Sequence, residues 1–407
     1  MTKGSRSSAA SVRFGALALV TALALAGCSG RSDGGASDGG EAAPITIGAS
    51  WPQSGPLGSL APGLHGLQAY IDQVNEDGGV NRHPINLVTA DDAYDPARLS
   101  DNFRKFVEQN DAIAVVNFGA IVAPTRDYLK QKGVAGVSLA GNDVFNDVET
   151  YPLHRAFWPN VNWEGQAQAQ WITENRPGAV VGYLGFNNDL TDSQLAGLEA
   201  GGIEVAQIAE VAPGTADVSA EVSKFQAAGV DTLIINIGAP TVGAVLGYMN
   251  QIGWKPTVFL GSTTSDYVTA INQATPEAVS GAYSFQFYKD PSDPQWSEDQ
   301  NIVEFEDAMD AAGYSDEAHN ATALNGYGLG AAVVAALESA DEYTSEGFIA
   351  AWDSFDNVEN PLLWPGITLN GGPHGRVIFD YVLTQFDGVS WVAQGGILNA
   401  IDEGWVQ

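Results

Sequence analysis

The sequence predicts an α/β protein made of two similar lobes. Short, almost wholly apolar segments recur along the chain, and each is followed by a segment with apolar residues at helical spacing. This alternation pauses after residue 139 and begins again near residue 179. Near-continuous apolar strands that alternate with helices form parallel sheets covered on both faces. Each run, of about 120 residues, therefore predicts one lobe with its own sheet.

The first run is expected to contain four strands and three helices. The strands are predicted at 45–50, 85–90, 112–118 and 134–139, and the helices at 64–75, 95–107 and 124–132. The first helix has Leu67, Ile71 and Val74 on one face and is followed by two glycines that end it. Asp95, which precedes a proline, is expected to cap the second helix.

The second run repeats this pattern, and further elements follow it. Its strands are predicted at 179–184, 203–211, 232–237 and 258–260, and its helices at 190–200, 218–228 and 242–252. Beyond it the sequence predicts two helices at 301–312 and 321–339, and a β-rich end at 376–386 and 391–392. These last elements are expected to complete the lobes after the chain has crossed between them.

The N-terminal segment has the layout of an export signal. Basic residues precede an apolar run at 14–26, which is too short to span a bilayer, and small residues close it. The string that ends at Cys28 resembles a bacterial lipobox, which implies removal of residues 1–27 and a lipid on the Cys28 thiol. The alternative is an ordinary secretory signal with an incidental cysteine. Residues 28–43, rich in Gly, Ser and Asp, predict a flexible tether.

Composition restricts the partners and the chemistry. The chain has 17 Lys+Arg against 49 Asp+Glu, a net charge of −32, and such a surface repels nucleic acid. Cys28 is the single cysteine, so disulfides and thiolate metal sites are excluded once it carries a lipid. The acidic surface is interpreted as a source of solubility.

No catalytic motif is present in the sequence. The five histidines are scattered, and there is no GxxxxGK[ST] phosphate loop. The segment 136–140 lacks the last glycine of a G-x-S-x-G nucleophile elbow, and the glycine-rich segment 326–330 lies within a helical pattern. We therefore expect no enzyme, no cofactor and no metal site, although paired carboxylates for glycoside hydrolysis stay open from sequence alone.

Several segments together resemble a known receptor family. These are Ser54-Gly55-Pro56 after the first strand, Asn75 followed by two glycines, Asp91-Asp92 after the second strand, Asp95-Pro96, and the segment 211–219. They resemble type I periplasmic binding proteins and, more narrowly, the branched-chain amino-acid receptors of ABC importers in their lipoprotein form. The resemblance covers residues 44–407, and it rests on the whole set because no single motif is decisive.

This resemblance implies a Venus-flytrap receptor. Two Rossmann-like lobes joined by three crossovers would close on a small organic solute and deliver it to ABC permease and ATPase subunits. The protein is expected to be a monomer, anchored to the membrane outside the cytoplasm by its lipid. Lobe 1 is expected at 44–159 plus 286–375, and lobe 2 at 160–285 plus 376–407. A sensor of the same fold, without transport, is the alternative role.

The binding residues of the amino-acid receptors carry over only in part. The loop after the third strand, which supplies hydroxyls to the ligand carboxylate in the family, has none here. Asn142 stands where the family has a threonine, Gly238 and Ala239 replace an aromatic residue, and the position of the ammonium-binding acid falls on Thr263. An amino acid needs both of its charges paired, because burying an unpaired ion costs several kcal/mol.

We therefore expect a larger, less charged solute, aromatic or otherwise apolar. The alternative is a branched-chain amino-acid receptor of the ordinary type. The expected ligand-binding residues are Trp51, Ser54, Leu60, Phe118, Gly119, Ala120, Ala140, Gly141, Asn142, Trp158, Asn160, Gly238, Ala239, Thr263 and Thr264.

Some of these residues have simpler interpretations. Trp51, Trp158 and Phe118 are of the types that fill cores, and Asn142 is a common turn residue. Ser54 is interpreted equally well as a residue that shapes its loop. The aspartates 91, 92 and 95 are interpreted as caps and solvated side chains, not as a cation site.

Overall fold

The computed structural model describes residues 42–119, 121–212 and 215–406. The expected signal, Cys28 and most of the expected tether lie outside the described residues, as does Ala120 among the expected ligand-binding residues. The described chain forms two α/β sheets with helices against them, which confirms the predicted fold class.

The first sheet has five parallel strands in the order β2-β1-β3-β4-β5. They are β1 Ile45–Trp51, β2 Ile85–Asp91, β3 Ala114–Phe118, β4 Ala135–Leu139 and β5 His154–Ala156. Four of them agree with the sequence-based expectation. The fifth was missed because it has three residues, two of them His154 and Arg155, and so lacks an apolar run.

The second sheet has seven strands in the order β12-β11-β10-β9-β8-β6-β7. They are β6 Val181–Phe186, β7 Val205–Val211, β8 Thr232–Asn236, β9 Thr257–Leu260, β10 Tyr283–Gln286, β11 Asp380–Phe386 and β12 Trp391–Asn399. Strands β6 to β10 are parallel, whereas β11 pairs antiparallel with both of its neighbours. The β-rich end therefore begins at residue 380, four residues after its expected start.

Twelve α-helices are present in the part of the chain that the structure describes. They are α1 Pro62–Glu76, α2 Pro96–Gln109, α3 Ala123–Lys132, α4 Val161–Asn175, α5 Asp189–Ala200, α6 Ser219–Ala227, α7 Ala239–Gln251, α8 Asn272–Ala274, α9 Pro276–Val279, α10 Gln300–Ala311, α11 Ala321–Ser339 and α12 Ser345–Asp353. Asp95 caps α2 as expected, since its side chain accepts from the amides of Ala97 and Arg98. Helix α4 was not predicted because Glu164 and Gln168 lie among its buried residues and interrupt the apolar pattern.

The chain crosses three times between the sheets. It leaves the first sheet after β5, returns from β10 to the helices α10 to α12, and crosses again before β11. Helix α11 packs along α1, which places this returning segment with the first sheet. The crossovers were expected from the resemblance; the residue limits assigned to the two lobes stay a prediction.

The glycine-rich segment 326–330 serves close packing of two helices. A Cβ on Gly326 of α11 would lie 1.7 Å from the carbonyl oxygen of Gly63, and a Cβ on Gly66 of α1 would lie 1.9 Å from that of Ala323. Any larger residue would force the two backbones apart. The structure therefore explains these glycines without a nucleotide.

Candidate ligand-binding site

The expected ligand-binding residues lie where parallel strands end, and ligands of open α/β sheets bind outside the carboxyl ends of the strands. In the first lobe Trp51, Ser54 and Leu60 end or follow β1, Phe118 and Gly119 end or follow β3, Ala140, Gly141 and Asn142 follow β4, and Trp158 and Asn160 follow β5. In the second lobe Gly238 precedes α7, Ala239 begins it, and Thr263 and Thr264 follow β9.

Four aromatic rings of the first lobe and the crossovers form a continuous row. Ring centroids are 5.6 Å apart for Trp51 and Phe118, 5.9 Å for Phe118 and Trp158, and 6.4 Å for Trp158 and Phe287. Trp51 and Phe287 are buried, whereas Phe118 and Trp158 are half-buried. We call these four residues the aromatic row; its half-buried rings, those of Phe118 and Trp158, offer surface to an apolar or aromatic partner.

The indole N–H groups of the aromatic row donate hydrogen bonds within the protein. Trp51 Nε1 donates to the carbonyl oxygen of Leu60 at 2.9 Å, and Trp158 Nε1 donates to Asn325 Oδ1 at 2.8 Å. The interaction with Leu60 fixes the loop after β1 against the first sheet. Trp51 is therefore a packing residue that shapes this loop, whereas the half-buried rings of Phe118 and Trp158 remain partly accessible.

The loops after β1 and β3 are held by hydrogen bonds of their own. Ser54 is exposed, and its hydroxyl donates to Asp91 Oδ2 at 2.5 Å. Gly119 has a φ of +81°, which favours glycine, and a Cβ there would lie 2.6 Å from the ring of Tyr94. Asn117 Nδ2 donates to the carbonyl oxygen of Gly119 at 3.0 Å. These contacts shape the loops and assign no ligand contact to Ser54.

Asn142 is a buried amide with unused hydrogen-bonding capacity. Its side chain is fully buried, and neither Oδ1 nor Nδ2 has a partner in the structure. Leaving a buried polar group unpaired costs about 1–3 kcal/mol. Asn142 also occupies the position that the family resemblance assigns to a ligand contact. Among the expected residues it therefore has the strongest physical reason to bind a ligand group.

Asn160 has a different role, because its polar groups are committed to the first crossover. Its Oδ1 accepts from the Asn162 amide at 3.0 Å and so caps α4. Its Nδ2 donates to Asp143 Oδ1 at 2.7 Å, and its carbonyl oxygen accepts from the Tyr381 hydroxyl at 3.0 Å. Asn160 therefore joins α4 to segments of both lobes.

Arg376 connects the same crossover to the loop after β4. The guanidinium donates to the carbonyl oxygens of Ala140 at 3.3 Å and Trp158 at 2.9 Å, and also to that of Asn142. The side chain is fully buried, and this burial lowers the pKa of Arg376 to about 10, so it remains charged at neutral pH. The carbonyl groups of the loop that carries Asn142 thus point towards Arg376.

Hydroxyl groups in the second lobe are part of a buried polar network. Thr263 and Thr264 donate to Asn236 Oδ1 at 2.9 and 3.2 Å. Asn236 Nδ2 donates in turn to Gln194 Oε1, which also accepts from the Tyr183 hydroxyl at 2.8 Å. Both threonine hydroxyl groups donate their protons to Asn236. Their oxygens can therefore still accept a hydrogen bond from a ligand, and they carry no charge.

A buried acid that the sequence analysis missed lies beside this network. Glu164 of α4 accepts from the Ser262 amide at 3.0 Å and from the Ser262 hydroxyl at 2.7 Å. Burial raises the pKa of Glu164 to about 7, although the hydrogen bonds from Ser262 act in the opposite direction. Its carboxyl group therefore holds the loop after β9. Because α4 itself is not predicted from the sequence, no sequence pattern selects this residue.

Phe186 is a second feature that the sequence analysis missed. A Cβ on Gly238 would lie 3.0 Å from the tip of the Phe186 ring, which ends β6 and is half-buried. The family resemblance places an aromatic side chain after β8, where this protein has Gly238. The ring of Phe186, from the neighbouring strand β6, lies beside that glycine. The sequence shows that Phe186 is an apolar residue at the end of a strand, but it does not show that Phe186 lies beside Gly238.

The two sheets, the three crossovers and the loops at the strand ends define a two-lobed protein of the type I periplasmic binding fold. A family model described as periplasmic binding protein matches residues 44–394. The chain therefore belongs to the periplasmic binding protein family.

Relatives and solved structures agree with this assignment. The chain is 24% identical to Leu/Ile/Val-binding protein homolog 3 of Brucella melitensis and 26% identical to homolog 2 of Brucella abortus, over 55% and 54% of its own length. It spans 62% and 61% of the length of these curated relatives.

Two solved structures show the same fold. One is a branched chain amino acid ABC transporter protein from Thermus thermophilus with bound valine, with a TM-score of 0.80 at 16% identity and coverage of 88% of this chain and 97% of that chain. The other is the binding protein LivJ from Streptococcus pneumoniae in complex with isoleucine, with a TM-score of 0.70 at 17% identity and coverage of 88% and 99%.

The raised pKa of Glu164 predicts a pH-dependent stability. Between its ordinary pKa of 4.5 and its folded pKa of about 7, the folded protein holds a proton that the unfolded chain has lost. Stability therefore falls as the pH rises through this window, by up to about 1.4 kcal/mol per pH unit. We expect Glu164→Gln to flatten this dependence in urea unfolding measured from pH 5 to 7.

Glu174→Gln is the matched control, because Glu174 is exposed at the end of the same helix. This variant should keep the slope of the unchanged protein. Asp290, whose pKa burial raises to about 8, contributes a similar fall and remains in both variants. Parallel curves for Glu164→Gln and the unchanged protein would contradict the assignment.

Proposed function

We propose that this protein is an extracytoplasmic receptor that captures a small organic solute with at most one ionised group, aromatic or otherwise apolar, for an ABC importer. The observation that carries this proposal is the chemistry of the expected ligand-binding residues: none of them has a charged side chain. They combine the half-buried rings of Phe118 and Trp158 with the amide of Asn142 and the hydroxyl oxygens of Thr263 and Thr264.

A free amino acid fits this set of groups poorly. Its ammonium group needs an acid, and Thr263 occupies the position where the family resemblance places one. The buried acid nearby, Glu164, already receives two hydrogen bonds from Ser262, and its raised pKa keeps it partly neutral at pH 7. An ammonium group in this cleft would therefore lose water without gaining a full ionic partner.

The ordinary family function is the second candidate. Relatives are named Leu/Ile/Val-binding proteins, and the structural neighbours hold valine or isoleucine. The unpartnered amide of Asn142 favours this candidate in one respect, because its N–H groups suit a carboxylate. A sensor of the same fold would use the same site, so the solute question is separate from the question of transport.

A thermal-unfolding screen of residues 29–407 tests the solute class. A ligand that binds the folded state alone stabilises it by about 2.7 kcal/mol at a hundredfold excess over Kd. We expect aromatic carboxylic acids or other apolar solutes to raise the midpoint, and leucine, isoleucine and valine to leave it unchanged. A shift with the branched-chain amino acids alone would overturn the proposal in favour of the ordinary family function.

The variant Asn142→Leu links that shift to the site. Replacement of the unpaired amide by an apolar side chain of similar size should not lower the midpoint of the free protein. It should, however, reduce the shift that the ligand causes. If the ligand shifts the midpoint of this variant as much as that of the unchanged protein, Asn142 does not contact the ligand.

We also propose that the chain is held at the outer face of the membrane by a lipid on Cys28. The charged, apolar and small-residue segments that precede this cysteine support the proposal. In the described part of the chain, no helix is long and apolar enough to cross a membrane. We expect the full chain to incorporate labelled palmitate and to be retained at the membrane. The variant Cys28→Ser should incorporate no label and should not be retained. Equal labelling of the two proteins would refute the lipid anchor.

A further inference from the structure

A cavity of about 360 Å³ lies beside the crossovers and is lined by Asp143, which accepts a hydrogen bond from Asn160. The residues that line it include Asp143, Asn162, Trp163, Ala196, His374 and Trp405. None of the residues that line it belongs to the expected ligand-binding set. Its volume is in the range of small-molecule sites, which is roughly 300–1,000 Å³.

The aromatic residues that line the cavity are held by packing against their neighbours. The Trp163 ring stacks on Phe379, with centroids 5.4 Å apart and an interplanar angle of 24°. His374 meets the same Phe379 ring edge-on at 6.0 Å. Trp405, half-buried, supplies a second indole. These rings present apolar surface that is held in place by its neighbours.

The polar residues that line the cavity include a carboxylate oxygen that can accept a further hydrogen bond. Asp143 Oδ1 accepts from Asn160 at 2.7 Å and from Asn146 at 3.2 Å, whereas Oδ2 receives one long contact of 3.4 Å from Asn162. A carboxylate oxygen has lone pairs for two donors, so Oδ2 can accept from a bound molecule. Asn162 Oδ1 accepts from Gln166 at 2.9 Å, which fixes this amide.

We propose that this cavity is a second binding site, for a neutral molecule with a hydroxylated ring, of the sugar class. Asp143 and the net charge of −32 disfavour an anion. The guanidinium of Arg376 interacts electrostatically with Asp143 and opposes a further cation. A wholly apolar molecule would exclude water from Asp143 Oδ2 and leave that oxygen with only the long contact from Asn162. A sugar ring would place C–H groups against the half-buried indole of Trp405 and a hydroxyl donor on Asp143 Oδ2.

Small residues on α5 allow the cavity to be filled without damage to the core. Ala196 lines the cavity and is exposed, so Ala196→Phe should occupy the space and cost little stability. Ala227→Phe is the matched control, because Ala227 is an exposed alanine on α6 outside the cavity. Ala200→Phe, also at an exposed lining position on α5, provides an independent second variant.

The test is a titration of tryptophan fluorescence with D-glucose, D-galactose and trehalose, repeated by thermal unfolding. We expect saturable binding of at least one sugar, weakened at least tenfold in Ala196→Phe and unchanged in Ala227→Phe. Sorbitol controls for the general stabilisation by osmolytes, which does not saturate. Tetramethylammonium and acetate test the charged alternatives.

The absence of saturable sugar binding to the unchanged protein would overturn the proposal. So would equal binding to Ala196→Phe, Ala200→Phe and Ala227→Phe, or a saturable response to tetramethylammonium or acetate in place of the sugars. The solute that binds the main site should still stabilise Ala196→Phe. This result separates a failure of the second site from a failure of the proposed receptor function.

Discussion

The buried guanidinium of Arg376 is the interaction on which the arrangement of the site depends. It bonds to carbonyl oxygens of the first crossover and of the loop after β4, and it lies at the start of the third crossover. A buried charge is costly unless polar groups surround it, so these segments must stay together around it. The position of Asn142, the start of α4 and the cavity next to Asp143 all follow from this constraint.

The two lobes contribute different chemistry to the expected cleft. The first lobe supplies the aromatic row and a buried amide, and the second lobe supplies hydroxyl oxygens oriented by Asn236. Glu164 holds the loop after β9 in place by accepting two hydrogen bonds from Ser262. A receptor built in this way gains from burial of apolar surface and from a few uncharged hydrogen bonds.

Elements marked by a run of apolar residues could be predicted from the sequence. Strands β1 and β8 are mainly apolar and were predicted close to their observed bounds, whereas β5 and α4 contain buried polar or charged residues that break the pattern. For the site, the strand ends located the loops. Hydrogen bonds over long sequence separations, such as that from Asn160 to Asp143 or from Ser262 to Glu164, leave no local pattern.

Small-angle X-ray scattering of residues 29–407, with and without a stabilising solute, tests the central claim most directly. The claim is that the two lobes close on a solute with at most one ionised group. Only a ligand that binds the closed state more tightly than the open state shifts their populations. We predict a smaller radius of gyration with a stabilising aromatic or apolar solute, and no change with leucine at the same concentration. Contraction with leucine alone, or stabilisation without contraction, would contradict this account.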